Sequence, residues 1–480
     1  MRNHFVHFSV LCLATCATSP MFAQAQSESA ASLPSAPPAS IWLTANAQSG
    51  AQAIVPPQAG TQSPAPAPAG APPPLLTRQQ AEQLALANNP NIRVSDLLAL
   101  VQHQVMRQTR ADLLPDLNGN LTAITANEGS RISSGSLASS RLLQHAGMGV
   151  VFTQLITDFG HTTNLVASAK LREKARQAGA LASREDIVLA TDQVFYSAIE
   201  AQATLKVAQG TVSERQTLVD QVSALTSAKL KSDLDLSFAQ VNLSQAKLLQ
   251  LDAQNNVDAA KAELSAVLGY DHQVDYQLVE DTGNLPMLPP DADTVVAAAL
   301  QNRPDLQSFQ YEEQAARKFS RAQHELLLPT ISTLGIVGGT PVGSSQYFNS
   351  NWYGAVGGNV SIPIFNGFRL TAEASQASLE AKAAAERTRN LRDQVVRDVH
   401  LAWLNANTSL QRVTVTDELL KEANLALSLA QTRYQLGLSS IVELSQAELQ
   451  QTQAAIGNAN ARSQYGFAIS ALQFQVGTTP

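Results

Sequence analysis

Two long stretches of this chain contain no proline, one between Pro115 and Pro286 and one between Pro363 and Pro480, and they constrain its fold more than any other feature. A proline inside a helix costs about 3 kcal/mol, so runs of this length permit helices several times longer than the usual three or four turns. Twelve of the 22 prolines fall before Leu75 instead. There they sit among Ala, Ser and Gln, as in Pro64-Ala65-Pro66-Ala67-Pro68. Such a segment buries too little apolar surface to offset its ordering entropy, so residues 26–76 read as a disordered or polyproline-II linker.

The rest of the chain repeats itself. Asn89-Pro90-Asn91-Ile92 returns as Arg303-Pro304-Asp305-Leu306, and Leu113-Leu114-Pro115-Asp116-Leu117 as Leu327-Leu328-Pro329-Thr330-Ile331, both 214 residues on. Asp158-Phe159-Gly160 returns around Asn366, and Val194-Phe195-Tyr196 as Leu401-Ala402-Trp403, at an offset of 207. Leu268-Gly269 returns as Val476-Gly477 at 208. This is a tandem duplication, with a first unit over 77–270, a linker over 271–290 and a second unit over 291–477.

Both units read alike. A short helix opens each, capped by a Thr77/Gln80 box in the first and by Asp291 or Asp293 in the second. A second helix covers 91–113 and 305–328, ending before Pro115 and Pro329. Two strands follow. Trp352, Gly354, Val356, Gly358, Val360, Ile362 and Ile364 alternate with Tyr353, Ala355, Gly357, Asn359 and Ser361. Leu117 to Ala123 alternates likewise, with Asn118, Asn120 and Thr122 on its polar side. Polar loops cover 128–144 and 342–351, and Gly338-Gly339 reads as a bend or bulge. Phe152, Phe159, Tyr347, Phe348, Trp352, Tyr353, Phe365 and Phe368 gather near strand ends, as in an interfacial aromatic girdle. Two long helices close each unit, over 162–224 and 234–268, then 370–435 and 441–476. The first would span about 95 Å at 1.5 Å per residue. Leu236, Ala239, Leu243, Ala246, Gln250, Ala253, Val257, Ala260, Leu264 and Val267 fall three and four apart, a coiled-coil seam of small residues.

Composition narrows the setting. The only cysteines are Cys12 and Cys16, inside an N-terminus that reads as a secretory signal over 1–25, with Ala23-Gln24-Ala25 as cleavage site. Leu13-Ala14-Thr15-Cys16 also resembles a lipobox, which would make Cys16 a lipidated first residue. The net charge of −7 gives no basic surface for nucleic acid. Charged residues make up only 15 %, and no stretch approaches the roughly 20 apolar residues of a spanning helix. Four strands per chain cannot close a barrel, and lipid tolerates no open sheet edge. Several chains must therefore pool their strands, two giving eight and three giving twelve. The expected fold is mostly α with a β-barrel portion: a tandem-repeat chain whose strands enter the outer membrane and whose long helices form a periplasmic tube.

The residues between the last two helices carry a specific likeness. Arg433-Tyr434-Gln435-Leu436-Gly437-Leu438-Ser439-Ser440-Ile441-Val442-Glu443-Leu444 resembles the periplasmic helix–helix tip of the TolC-type outer-membrane efflux and secretion channel family. Pro363-Ile364-Phe365-Asn366-Gly367 resembles its strand-to-helix junction. The resemblance covers 77–477 and implies a homotrimer with a twelve-stranded barrel in outer-membrane lipid. It further implies an α-helical barrel, docking to a periplasmic adaptor, and drive from an inner-membrane pump. Tyr434 matches the family's entrance-constricting tyrosine, Glu443 an entrance carboxylate ring, and Asp235 the acidic partner in the first unit. A second ring position falls on Gln446 and the locking arginine on Ser439, so neither charge is kept. Leu436, Gly437, Leu438, Ser439, Lys231 and Ser232 would form the adaptor-contacting tip, although Ala228-Lys229-Leu230-Lys231-Ser232 offers no glycine. Each has a plainer reading: Tyr434 as a coiled-coil core aromatic, Glu443 as a carboxylate favoured at a helix start, Gly437 as a tight reversal.

Nothing points to catalysis. The eight histidines show no metal spacing, and there is no phosphate-binding glycine loop or nucleophile elbow. No cofactor or metal is expected. The rival readings are an outer-membrane channel for type I protein secretion and a periplasmic coiled-coil scaffold without a pore.

Overall fold

The computed structural model describes residues 74–124, 145–279, 287–342 and 352–478. The expected signal peptide with Cys16, nearly all of the linker, and Tyr347 and Phe348 lie outside the described residues. The first repeat runs β1 (Leu75–Leu76), α1 (Arg78–Asn88), α2 (Pro90–Ala111), β2 (Asp116–Ile124), β3 (His145–Thr157), α3 (His161–Ser227) and α4 (Asp233–Val267). The second runs β4 (Gln277–Leu278), α5 (Ala292–Asn302), α6 (Pro304–Glu325), β5 (Thr330–Val342), β6 (Trp352–Ser361), α7 (Arg369–Gln435) and α8 (Ile441–Val476).

The bounds of α1 and α2 move onto α5 and α6 by 214, and those of α3 onto α7 by 208. That corrects the offset of 207: Val194-Phe195-Tyr196 corresponds to Ala402-Trp403-Leu404. Phe195 is buried, and Trp403 is half-buried with its indole Nε1 donating to the Pro289 carbonyl at 2.9 Å. Thr77 and Gln80 form the expected capping box on α1, and Asp291, not Asp293, caps α5. Pro90 and Pro304 occupy the first turns of α2 and α6, where their missing N–H costs nothing.

Strands β2, β3, β5 and β6 form one antiparallel sheet in that order, leaving β2 and β6 as open edges. Cross-strand partners share a face. One face therefore carries Leu117, Leu121, Met148, Val150, Phe152, Val337, Trp352, Val356 and Val360, all but Phe152 exposed. Its polar exceptions, Gln154 and Thr333, lie at the end nearest the helices. The other face is mixed: Asp116, Asn118, Asn120, Thr122, Ser332, Asn359 and Ser361 share it with Val151, Leu155, Leu334, Ile336 and Tyr353. The period of two in β6 holds through Ser361; Ile362 and Ile364 lie past the strand, because Pro363 cannot continue the ladder. Phe152 is mid-strand rather than at an end, opposite Leu117 and Gly335. The irregularity falls just beyond Gly339, while Gly338 serves close approach: a Cβ there would stand 2.5 Å from the Tyr353 hydroxyl.

Helices α3 and α7, 67 residues each, are about 100 Å long. Near the sheet the lateral order is α2–α3–α6–α7; farther away α4 and α8 replace α2 and α6. The stacked ends are stitched together. Asn89 caps α2 through Oδ1 and donates from Nδ2 to the Val267 carbonyl at 3.0 Å. At the matching place Arg303 holds Asp305 and Gln475. Alanines along the predicted α4 seam, Ala239, Ala246, Ala253 and Ala260, are buried, which lets α3 and α4 lie close. Strand-to-helix junctions use left-handed pairs, Phe159-Gly160 and Gly367-Phe368. In the first, Asp158 accepts from the Thr162 and Gly160 amides at 2.7 and 3.2 Å. Burial opposes its ionisation, yet these hydrogen bonds outweigh burial and hold the carboxyl below the ordinary range.

Candidate functional site

The two hairpin turns, α3–α4 and α7–α8, lie together at the end farthest from the sheet. They are built alike, as Schellman endings. Leu230 N donates to the Leu225 carbonyl at 2.8 Å and Lys229 N to the Thr226 carbonyl at 2.9 Å. Leu438 N donates to Arg433 at 2.8 Å and Gly437 N to Tyr434 at 3.1 Å. Gly437 takes φ +73°, and Lys229 takes φ +61° at the equivalent place. The missing tip glycine is thus a missing residue type, not a missing conformation: Lys229 adopts the left-handed turn at a steric cost. Shifting Gly437 back by 208 lands on Lys229 and exposes this from sequence.

Each return helix starts with a serine cap. Ser232 accepts from Asp235 N at 3.1 Å, and the Asp235 carboxylate accepts from Ser232 N at 3.3 Å, a complete capping box. Ser440 accepts from Glu443 N at 3.4 Å, but the Glu443 side chain turns away and pairs with Arg433 Nε at 3.2 Å, both half exposed. Sequence reading did not anticipate Arg433 as that partner; the ten-residue separation spans a turn whose geometry decides it.

Tyr434 is 6 % exposed and packs with Leu218, Val222, Leu427, Ile441 and Leu444. Within one protomer it is a core aromatic. Its hydroxyl is buried without a hydrogen-bond partner. Burial, and then the nearby Asp235 carboxylate, push its phenol up. Lys231 Nζ lies 4.1 Å from the centre of the Tyr434 ring, joining the first hairpin to the second. Ser439, where the resemblance would put a cation, has a buried hydroxyl oxygen without partner. Leu230, Leu234, Leu436, Leu438 and Val442 are exposed around the turns, an apolar surface at the very end of the molecule. Leu230 and Leu234 were not anticipated there; the repeat offset pairs them with Leu438 and Val442.

Farther from the tip, Arg215 of α3 and Glu448 of α8 form an ion pair with side chains only 8 % and 9 % exposed. Burial pushes Glu448 up against the pull of Arg215. Among the described residues no three His, Cys, Asp or Glu side chains gather as metal ligands, and no helix is long and apolar enough to cross a membrane.

The sequence profile described as Outer membrane efflux protein matches residues 81–270 and 295–478. The chain belongs to the outer membrane efflux protein family. One matched segment falls in each repeat. Outer membrane protein TolC of Salmonella enteritidis is 23 % identical over 416 residues, covering 83 % of this chain and 81 % of the relative. Outer membrane protein OprJ of Pseudomonas aeruginosa is 24 % identical over 364 residues, covering 74 % of each. The solved Campylobacter jejuni CmeC outer membrane channel shares the fold at a TM-score of 0.73 and 17 % identity, covering 84 % of this chain and 85 % of that one. As a member of the family, the protein belongs to the outer membrane of a Gram-negative cell, with its helices extending into the periplasm. Family and fold are those of channels rather than of enzymes.

Proposed function

We propose that three copies close into one continuous conduit, a twelve-stranded barrel in the outer membrane leading into a ring of helices. Solutes delivered by an inner-membrane pump through a periplasmic adaptor would pass along it. The observation that carries this reading is that strand layer and helix layer are both open at the same two edges. The sheet ends in β2 and β6, and the helix layer ends in α2/α4 and α7. Within the chain, α3 already packs on α6 and α8. Repeat equivalence makes that seam a template for α7 packing on α2 and α4 of the next copy. The waiting surfaces are apolar: Val94, Leu97, Leu98 and Val101 on α2, Leu248 and Leu251 on α4, Leu404, Val415 and Leu419 on α7. Such a head-to-tail contact generates a ring. Eight strands enclose a space filled by side chains, so two copies would leave no water path.

The relatives named above are outer-membrane proteins and a channel. The exposed leucines of the tip suit an apolar adaptor surface. Glu443, Asp235 and Tyr434, one of each per copy, would ring the periplasmic mouth as its gate. A pore-free scaffold has no use for a sheet whose one face is apolar and exposed to its surroundings while the polar side chains gather on the other. The test is detergent-purified protein in planar bilayers. Trimeric mass and discrete conductance steps are expected; a monomer that carries no current overturns the proposal.

A further inference from the structure

The two hairpins of one chain touch along the seam between α3 and α8, and the contacts change character along it. Thr211 and Thr452 meet at 3.4 Å. One turn nearer the tip comes the buried Arg215–Glu448 pair. Beyond it lie Leu218 and Val222 against Ile441, Leu444 and Tyr434, and last the Lys231–Tyr434 contact. Among the described residues no further charged pair crosses between the hairpins on the tip side. One neutral hydrogen bond does, from Asn242 Nδ2 to Ser445 Oγ at 2.7 Å.

These contacts yield differently. Apolar contacts are non-directional and can slide past one another. The ammonium of half-buried Lys231, resting on a ring rather than in an ion pair, can exchange the ring for water. A buried ion pair cannot part without leaving two unsolvated charges in the seam. Repeat equivalence adds a contrast: Arg215 corresponds to Ala423 and Glu448 to Gln240, so the equivalent positions in the proposed seam between copies could not form this pair.

We propose that Arg215–Glu448 is a fixed fulcrum pinning the second hairpin to the first, and that only the tip beyond it, closed by Lys231 on the Tyr434 ring, moves when the periplasmic mouth opens. This rests on the channel reading above. The moving part of α3 runs from Gln216 to Ser227, about 18 Å of helix. Neither Arg215 nor Glu448 touches the passing solute; both are positioning residues.

Residues 74–478 contain no cysteine, so spin labels can be placed freely. One pair joins S227C to V442C at the tip, the other K206C to Q453C beyond the fulcrum, all exposed sites, in trimers diluted with unlabelled chain. Lys231→Gln should lengthen the tip distance alone and raise resting conductance roughly 2- to 30-fold, the factor a cation–π contact supplies. Arg215→Leu with Glu448→Leu should shift the upper distance as well. Glu448→Gln, which keeps shape and loses charge, should shift it too and serves if the leucine pair does not assemble. An unmoved upper distance in these variants overturns the fulcrum. An unmoved tip distance in Lys231→Gln overturns the releasable contact. Wild-type protein that forms no pore overturns the channel reading instead, whatever the label distances.

Discussion

Gly437→Ala tests whether the tip is held by backbone geometry. Gly437 sits at φ +73°, and a Cβ built there meets nothing within 4 Å. The substitution therefore isolates the left-handed penalty from any clash. That penalty is about 1–2 kcal/mol for an L-residue. Alanine also lowers the entropy of the unfolded chain, which returns about 0.4–1 kcal/mol. The net loss is about 1 kcal/mol, roughly a fivefold shift in the opening equilibrium of the turn. The amides that report it are Gly437 N and Leu438 N, which donate to Tyr434 and Arg433. Hydrogen exchange of the intact protein should show them about fivefold faster, with the middle of α7 unchanged. Lys229→Gly at φ +61° should do the reverse in the first turn, by somewhat less. Unchanged or slower exchange in Gly437→Ala would refute the claim that the turn needs glycine's conformational freedom.

Three further outcomes are expected. Glu443→Gln should weaken cation preference and block by multivalent cations in bilayer recordings, while leaving Arg433 half exposed and soluble; unchanged selectivity would remove Glu443 from the gate. Val356→Lys, on the apolar sheet face, should cost about 2–4 kcal/mol of insertion if near the bilayer midplane, against little for Asn359→Lys on the other face, read as the yield of heat-resistant oligomer on gels. Asp158, held below its ordinary value of 3.8, adds stability that is complete above that value and fades as pH falls through the lowered one. Asp158→Asn should therefore flatten the acid limb of the unfolding profile, and a limb of unchanged slope would contradict the assignment.

Much of the architecture is legible before any coordinates. Proline-free runs, the duplicated Leu-Leu-Pro and Asn/Arg-Pro motifs, and the three-and-four spacing in α4 report on neighbours in sequence, and local periodicity is what hydrophobic burial writes into a chain. Helix ends came within a few residues for the same reason, since caps such as Thr77 and Ser440 act over three or four positions. The candidate site was less readable. Tyr434, Glu443 and Asp235 lie at the hairpin turns, but no local pattern says that Asp235 spends its carboxylate on its own cap while Glu443 reaches Arg433.

Sequence alone determined that the chain is duplicated, that its helices are long, and that its few strands leave a sheet without closure. Only the tertiary structure decided which side chains meet across the hairpins: Lys231 with Tyr434, Arg215 with Glu448, Asn89 with the end of α4. Those partners lie about two hundred residues apart, and nothing in a helical period says which turn of one helix stands opposite which turn of another. That registry is set by the packing of whole helices, and it is there that the tip acquires its ties.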